Sequence, residues 1–217
     1  MVYRKSFSFK PEENRIYRLR LNGVFYRYRA YLNNFILGGS SGYFYPTFFD
    51  LTRYLKSENL LLLEVDSPHR EEEKGIMTGV FSNFPDLPER YNPGGIWRPV
   101  EILSSGPAYI DDWNLQTMSL GNDWGEMLLQ IRIFSAEAEE AVLRVILTPD
   151  NFQGDPLELK ISLPLIKGMN SFEERFKASN VKPWWSWDLG DPNLYRVDLS
   201  LENNGEVWDR RSERTGI

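Results

Sequence analysis

The chain is 217 residues long, 41% apolar and 14% aromatic, enough for one large domain or two ordinary ones at about 100–200 residues each. A net charge of −6 disfavours a phosphate backbone as partner and sets nucleic acid aside. The absence of cysteine removes disulfides and thiolate metal sites.

The first residues, Met1-Val2-Tyr3-Arg4-Lys5, lack the apolar core of a signal peptide. No run of roughly 18 apolar residues follows to span a membrane, and no Asn-x-Ser/Thr sequon occurs. These absences fit a cytoplasmic protein, and equally a segment of a longer chain. Beyond the Asn22-Gly23 turn, Tyr26, Tyr28, Ala30 and Leu32 alternate with Arg27 and Arg29, the period-two pattern of a strand with one face in a core. Gly38-Gly39-Ser40-Ser41-Gly42 lacks the lysine of a phosphate loop and reads as a hairpin connection. Further turn signals stand at Asp66-Ser67-Pro68, Asn92-Pro93-Gly94-Gly95, Gly154-Asp155-Pro156 and Asn204-Gly205. In Gly94–Glu101 a Gly-Gly turn feeds Ile96, Trp97, Val100 and Ile102, the bulky residues of a buried strand.

The second half repeats the alternation. Met127, Leu129, Ile131 and Ile133 share one face, as do Leu157, Leu159, Ile161 and Leu163, and then Tyr195, Val197, Leu199 and Leu201. Only Glu137–Leu143 has helical composition, and its apolar residues also fit the strand period. The expectation is an all-β chain of two sandwiches, divided near Ser104-Ser105-Gly106-Pro107 into 1–106 and 107–217.

Three segments, in this order, carry a family resemblance. The first runs from Leu21-Asn22-Gly23-Val24 through Ala30-Tyr31-Leu32-Asn33-Asn34 to Gly42–Thr52. It resembles a "GV" turn, a "VYLNG" hairpin and a "GxxxPFxFDxT" strand, with Asn34 in place of the usual glycine; Asn is the next-best residue for positive φ. The second is Gly94–Val100. The third, Trp184–Tyr195, is similar to "LWWPxxxGxPxLY". Together they resemble the front end of family 2 glycoside hydrolases, the β-galactosidases, β-glucuronidases and β-mannosidases. The resemblance implies a galactose-binding-like jelly roll followed by an immunoglobulin-like sandwich. In that family a catalytic barrel follows, Arg211–Ile217 resembling the strand that leads into it, and further sequence precedes the first strand. The expectation is a piece cut from a longer protein or a shortened gene.

Retaining glycosidases need two carboxyl groups about 5–5.5 Å apart, and the family's pair belongs to the barrel. Asp111-Asp112 is the tempting local pair, but neighbours on a strand point to opposite faces. Glu71-Glu72-Glu73, Glu139-Glu140 and Glu173-Glu174 read as solvated charge runs. His69 is the only histidine and reads as a surface residue, so no transition-metal site and no cofactor is expected. A calcium site of carboxylates and carbonyls stays compatible with the composition. No catalytic residue is assigned.

Exposed tryptophans are stacking platforms for sugars, and Trp184, Trp185 and Trp187, or Trp113 with Trp124, are candidates. The simpler reading makes Trp97 and Trp185 structural anchors of core or domain packing. Trp124, within Gly121-Asn122-Asp123-Trp124-Gly125, is expected to be exposed. His69–Pro93 is long for a connection within a sandwich, and in the family a loop at this place lines the sugar subsite. Asp86, Arg90 and Asn92 are its candidate sugar-binding residues, with Trp124 added. The loop is expected to order only against the barrel. The partner implied by the resemblance is a carbohydrate, taken together with the barrel. A stand-alone carbohydrate-binding protein and a β-sandwich module that builds a homo-oligomer are the rival readings.

Overall fold

The computed structural model describes residues 1–42, 44–67 and 94–217, and every regular element among them is a strand. The chain divides into two compact units, Met1–Ser104 and Ser105–Ile217.

In the first unit, β1 (Val2–Ser8), β7 (Glu58–Asp66), β4 (Arg27–Leu32) and β5 (Phe35–Ser41) form an antiparallel sheet in that spatial order. A second sheet joins β6 (Thr47–Asp50), β2 (Ile16–Leu21) and β9 (Val100–Ser105), and β3 (Val24–Phe25) pairs with β8 (Gly95–Ile96). The predicted alternation on β4 is realised: Tyr28, Ala30 and Leu32 are buried while Arg27 and Arg29 are exposed. They meet Leu19 and Leu21 of β2 and Leu61, Leu63 and Val65 of β7 in one core. This is the jelly-roll half.

Two features of this unit depart from the sequence reading. Gly38–Ser41 is not a hairpin connection but the paired end of β5, with Gly38 opposite Ala30 and Ser41 opposite Arg27. The glycines serve close approach: a Cβ on Gly39 would stand 2.6 Å from the Tyr28 carbonyl oxygen, and one on Gly38 would stand 2.8 Å from the Phe49 ring. The true β4–β5 connection is Asn33-Asn34, both at positive φ (53° and 71°), as a tight hairpin requires. Nor is Gly94–Glu101 one buried strand. Pairing stops after Ile96 and resumes at Val100, leaving Trp97-Arg98-Pro99 outside both strands. Proline has no N–H for a ladder, and Trp97 and Val100 are partly exposed, at 45% and 37%.

The second unit is described throughout and contains seven strands. β10 (Ala108–Leu120), β11 (Trp124–Ser135) and β14 (Gly168–Ser179) make one sheet; β13 (Leu157–Leu165), β12 (Glu139–Pro149), β15 (Tyr195–Asn203) and β16 (Glu206–Thr215) make the other. The segment of helical composition lies mostly in β12, where Ala141, Leu143, Val145 and Leu147 alternate into the core. Facing them are Met127, Leu129, Ile131 and Ile133 of β11 and Val197, Leu199 and Leu201 of β15. A three- and a four-stranded antiparallel sheet over one core is the immunoglobulin-like arrangement. Tyr195, at the start of β15, accepts a 2.8 Å hydrogen bond from the Lys182 amide, which ties the strand to the segment that precedes the Trp184 loop.

Candidate functional site

Asp86, Arg90 and Asn92, with His69 and Glu71-Glu72-Glu73, lie outside the described residues. The remaining candidates are placed.

Trp124 opens β11 opposite Ser179. It is half-buried rather than exposed, because Gly121 abuts its ring and the Lys177 ammonium lies 4.8 Å from the ring centroid. Trp113 stands opposite Ile131, far along the same ladder, and packs on the core. The two tryptophans therefore form no common platform.

Trp97 and Trp185 are 45% and 47% exposed, so neither is enclosed in a core. Gly23 abuts the Trp97 indole and the Arg98 guanidinium lies 4.5 Å from its ring centroid; Gly190 abuts Trp185. The contacts of Trp97 join two of the sequence motifs. The Asn22 side chain donates to the Pro99 carbonyl (2.9 Å) and to Glu101 Oε2 (2.7 Å), and the Trp97 amide donates to the Gly23 carbonyl (3.2 Å). The tryptophan that the fold does bury is Trp208, 5% exposed in the second core with the Gly106 backbone against its ring. Sequence reasoning passed over it because Asp209, Arg210 and Arg211 follow it and disguise the apolar position.

Asp111 and Asp112 do not point to opposite faces. A bulge falls between Ile110 and Asp112, and the extra residue turns both carboxylates toward Arg132, at 2.9 Å and 3.5 Å. A single guanidinium is shared by the two carboxylates, giving an exposed ion cluster.

The third motif forms a loop of exposed aromatics. Trp184 bridges to Pro192, the Trp185 amide donates to the Asp191 carbonyl (3.1 Å), and the Leu189 and Gly190 amides both donate to the Ser186 carbonyl (2.8 Å and 3.1 Å). Hydrogen bonding to Ser186, first among its causes, holds the Asp188 carboxyl below its usual pKa. Trp187 and Leu189 are left 89% and 71% exposed.

Among the described residues of the first unit, two grooves bear on the site. One, of about 670 Å³, is polar, with Arg27, Arg29, Glu64 and Asp66 in its wall. The other, of about 460 Å³, is apolar, lined by Phe7, Leu19, Leu61, Leu63, Ile96 and Ile102. No group of three or more metal-ligating side chains occurs among the described residues.

The sequence pattern described as "Glycosyl hydrolases family 2" matches residues 108–217, half of the chain. The chain belongs to glycosyl hydrolases family 2. This family 2 chain is 25% identical over 220 residues to a β-galactosidase of Bacteroides ovatus, spanning 99% of the chain and 24% of that protein. It is 21% identical over 229 residues to an exo-β-D-glucosaminidase of Hypocrea jecorina, spanning 100% of the chain and 25% of that protein. Among solved structures, a β-D-mannosidase from Dictyoglomus thermophilum superposes with a TM-score of 0.83 at 24% identity, covering 100% of this chain and 29% of that one. The chain thus spans about a quarter of the length of its curated relatives.

Proposed function

We propose that the chain is a non-catalytic, two-sandwich front end of a retaining exo-β-glycosidase, acting as scaffold for a downstream barrel that carries the chemistry. One observation carries the reading: a family 2 chain that covers all of itself in its relatives covers only about a quarter of them. The parent's substrate is a terminal β-linked sugar, and the names of the relatives span galactoside, glucosaminide and mannoside. Asp86, Arg90 and Asn92 are proposed to edge the sugar pocket from the first unit, and the chain's carbohydrate partner is met together with the barrel. The double carboxylate at Arg132 supports the division of labour, since it is committed to an ion cluster rather than a cleft.

Assaying the purified chain and the full-length parent against aryl β-galactoside, β-glucuronide, β-mannoside and β-glucosaminide tests this. The chain is expected to be silent and the parent active. Turnover that co-purifies with the chain and vanishes on one Asp or Glu substitution overturns the proposal. So does tight binding of a free glycan by the chain alone, which would favour a carbohydrate-binding protein.

A further inference from the structure

Among the described residues, the loop from Trp184 to Pro192 gathers exposed apolar side chains in one short stretch. It presents Trp184, Trp185, Trp187 and Leu189, four large apolar side chains, each at least 47% exposed. Exposed apolar clusters of this kind mark contact surfaces in soluble proteins. The loop is not a loose end. Besides its internal bonds, Asn151 Nδ2 donates to the Pro192 carbonyl (2.8 Å) and Asn193 Nδ2 to the Pro183 carbonyl (3.1 Å). A backbone tied at both ends fixes the course of the loop before any partner arrives, which lowers the ordering cost of docking.

What covers the loop is indicated by its neighbour. The Trp184 amide donates to the Ile217 carbonyl at 2.7 Å, Gly216 abuts the Trp184 ring, and Ile217 itself is buried. Whatever follows Ile217 therefore leaves the unit from the edge of the aromatic patch. We infer that this loop is the docking surface for the domain that follows Ile217, and that Trp187 and Leu189 insert into that domain. The inference rests on the proposed function, which supplies the occupant, and adds the surface and the residues that grip it. A domain tethered at the patch meets it at high effective concentration, so modest contact area suffices. A sugar is the poorer occupant, because Leu189 gives a pyranose no stacking face.

Hydroxyl-radical footprinting of the chain and of the full-length parent, with glycosidase activity recorded on the same parent sample, tests this. Trp187 oxidation is expected to fall at least fivefold in the parent, while the chain alone stays reactive at all concentrations. The double change Trp187→Ser with Leu189→Ser should leave the melting of the isolated chain unchanged and split the parent's unfolding into two separate transitions. An active parent with Trp187 as reactive as in the chain overturns the inference and leaves the proposed function standing. A protected Trp187 in a parent without glycosidase activity does the reverse. Protection in the chain alone that grows with its concentration assigns the patch to a second copy, and a gene ending at Ile217 removes the occupant; either overturns the inference.

Discussion

Arg211 and Asp209 lie two positions apart on β16, on one face, and together cap the backbone of a single residue in the other sheet. Asp209 Oδ2 accepts from the Ile110 amide at 2.9 Å, while Arg211 Nη2 donates to the Ile110 carbonyl at 2.6 Å. A 2.9 Å ion pair between the two side chains closes the triangle. β10 and β16 are both edge strands of their sheets. The pair therefore supplies the amide and carbonyl partners that a neighbouring strand would have given, and staples the sandwich where the bulge at Asp111 interrupts the ladder.

Arg211→Ala should destabilise the second unit by about 1–3 kcal/mol, since it takes the counter-charge from a nearly buried carboxylate and a donor from the Ile110 carbonyl. Arg211→Lys should recover only part of this, because an ammonium lacks the fork that reaches both acceptors. Urea denaturation followed by tryptophan fluorescence measures both. A loss no larger than that of an exposed-arginine control such as Arg210→Ala would remove the staple from the account.

The hairpin at Asn33-Asn34 separates two uses of asparagine. Asn33 donates to the Tyr54 carbonyl (2.8 Å) and Asn59 Oδ1 (2.9 Å), and accepts from the Leu60 amide (2.9 Å). Asn34 is exposed and has only the turn conformation to supply. Asn34→Gly is therefore expected to be neutral or to stabilise by up to about 1 kcal/mol, whereas Asn33→Gly keeps the φ and loses the bonds, at a cost of about 2–3 kcal/mol. Thermal melts of the two variants should move in different directions; equal shifts would mean that the side-chain network adds nothing.

The strands of both cores were legible because burial on one face imposes a period of two; β4 and β15 carry it cleanly, and β11 departs from it at the buried Leu128. The Asn33-Asn34 turn was legible for a similar reason, because few residues accept positive φ. What local pattern does not encode is long-range company. Gly38 and Gly39 look like a loop until Phe49 and the Tyr28 carbonyl, brought up by other strands, show why no side chain fits. Asp111 and Asp112 look like opposite faces until the bulge turns them together. The tryptophans obey the same rule. Whether an indole is covered depends on the chain that crosses it, and Trp208 is crossed by Gly106 from the far end of the unit.

That contrast predicts an order among the tryptophans of the second unit. Trp208→Ala empties a core position and should cost about 3–5 kcal/mol, enough to threaten folding. Trp185→Ala removes a ring already half in water and should cost about 1–2 kcal/mol. If Trp208→Ala is insoluble, Trp208→Phe supplies the measurement, with a loss still expected to exceed that of Trp185→Phe. Denaturant midpoints at constant m-value give the order, and a reversed order would mean that Trp185 anchors the isolated chain after all.

Tyr195 gives a pH dependence of definite sign. Its phenol is pushed above the ordinary 10.0, chiefly by burial and against the pull of the Lys182 amide. The fold thus favours the neutral phenol, and the stability this group contributes is fully present below the ordinary tyrosine value. It is lost as pH rises through the raised one, because the unfolded chain ionises first. Tyr195→Phe keeps the edge-on contact with Phe152, whose ring centroid lies 4.9 Å away, but removes the acceptor for the Lys182 amide. The variant should be less stable by about 0.5–1.5 kcal/mol at neutral pH, and the gap to wild type should narrow as pH climbs past 10. Tyr31, raised by its hydrogen bond to Glu64, titrates in both proteins and cancels in the difference. Urea midpoints between pH 7 and about 11 test the argument. A gap that stays constant across that range would mean that the phenol is as free to ionise in the folded unit as in the unfolded chain.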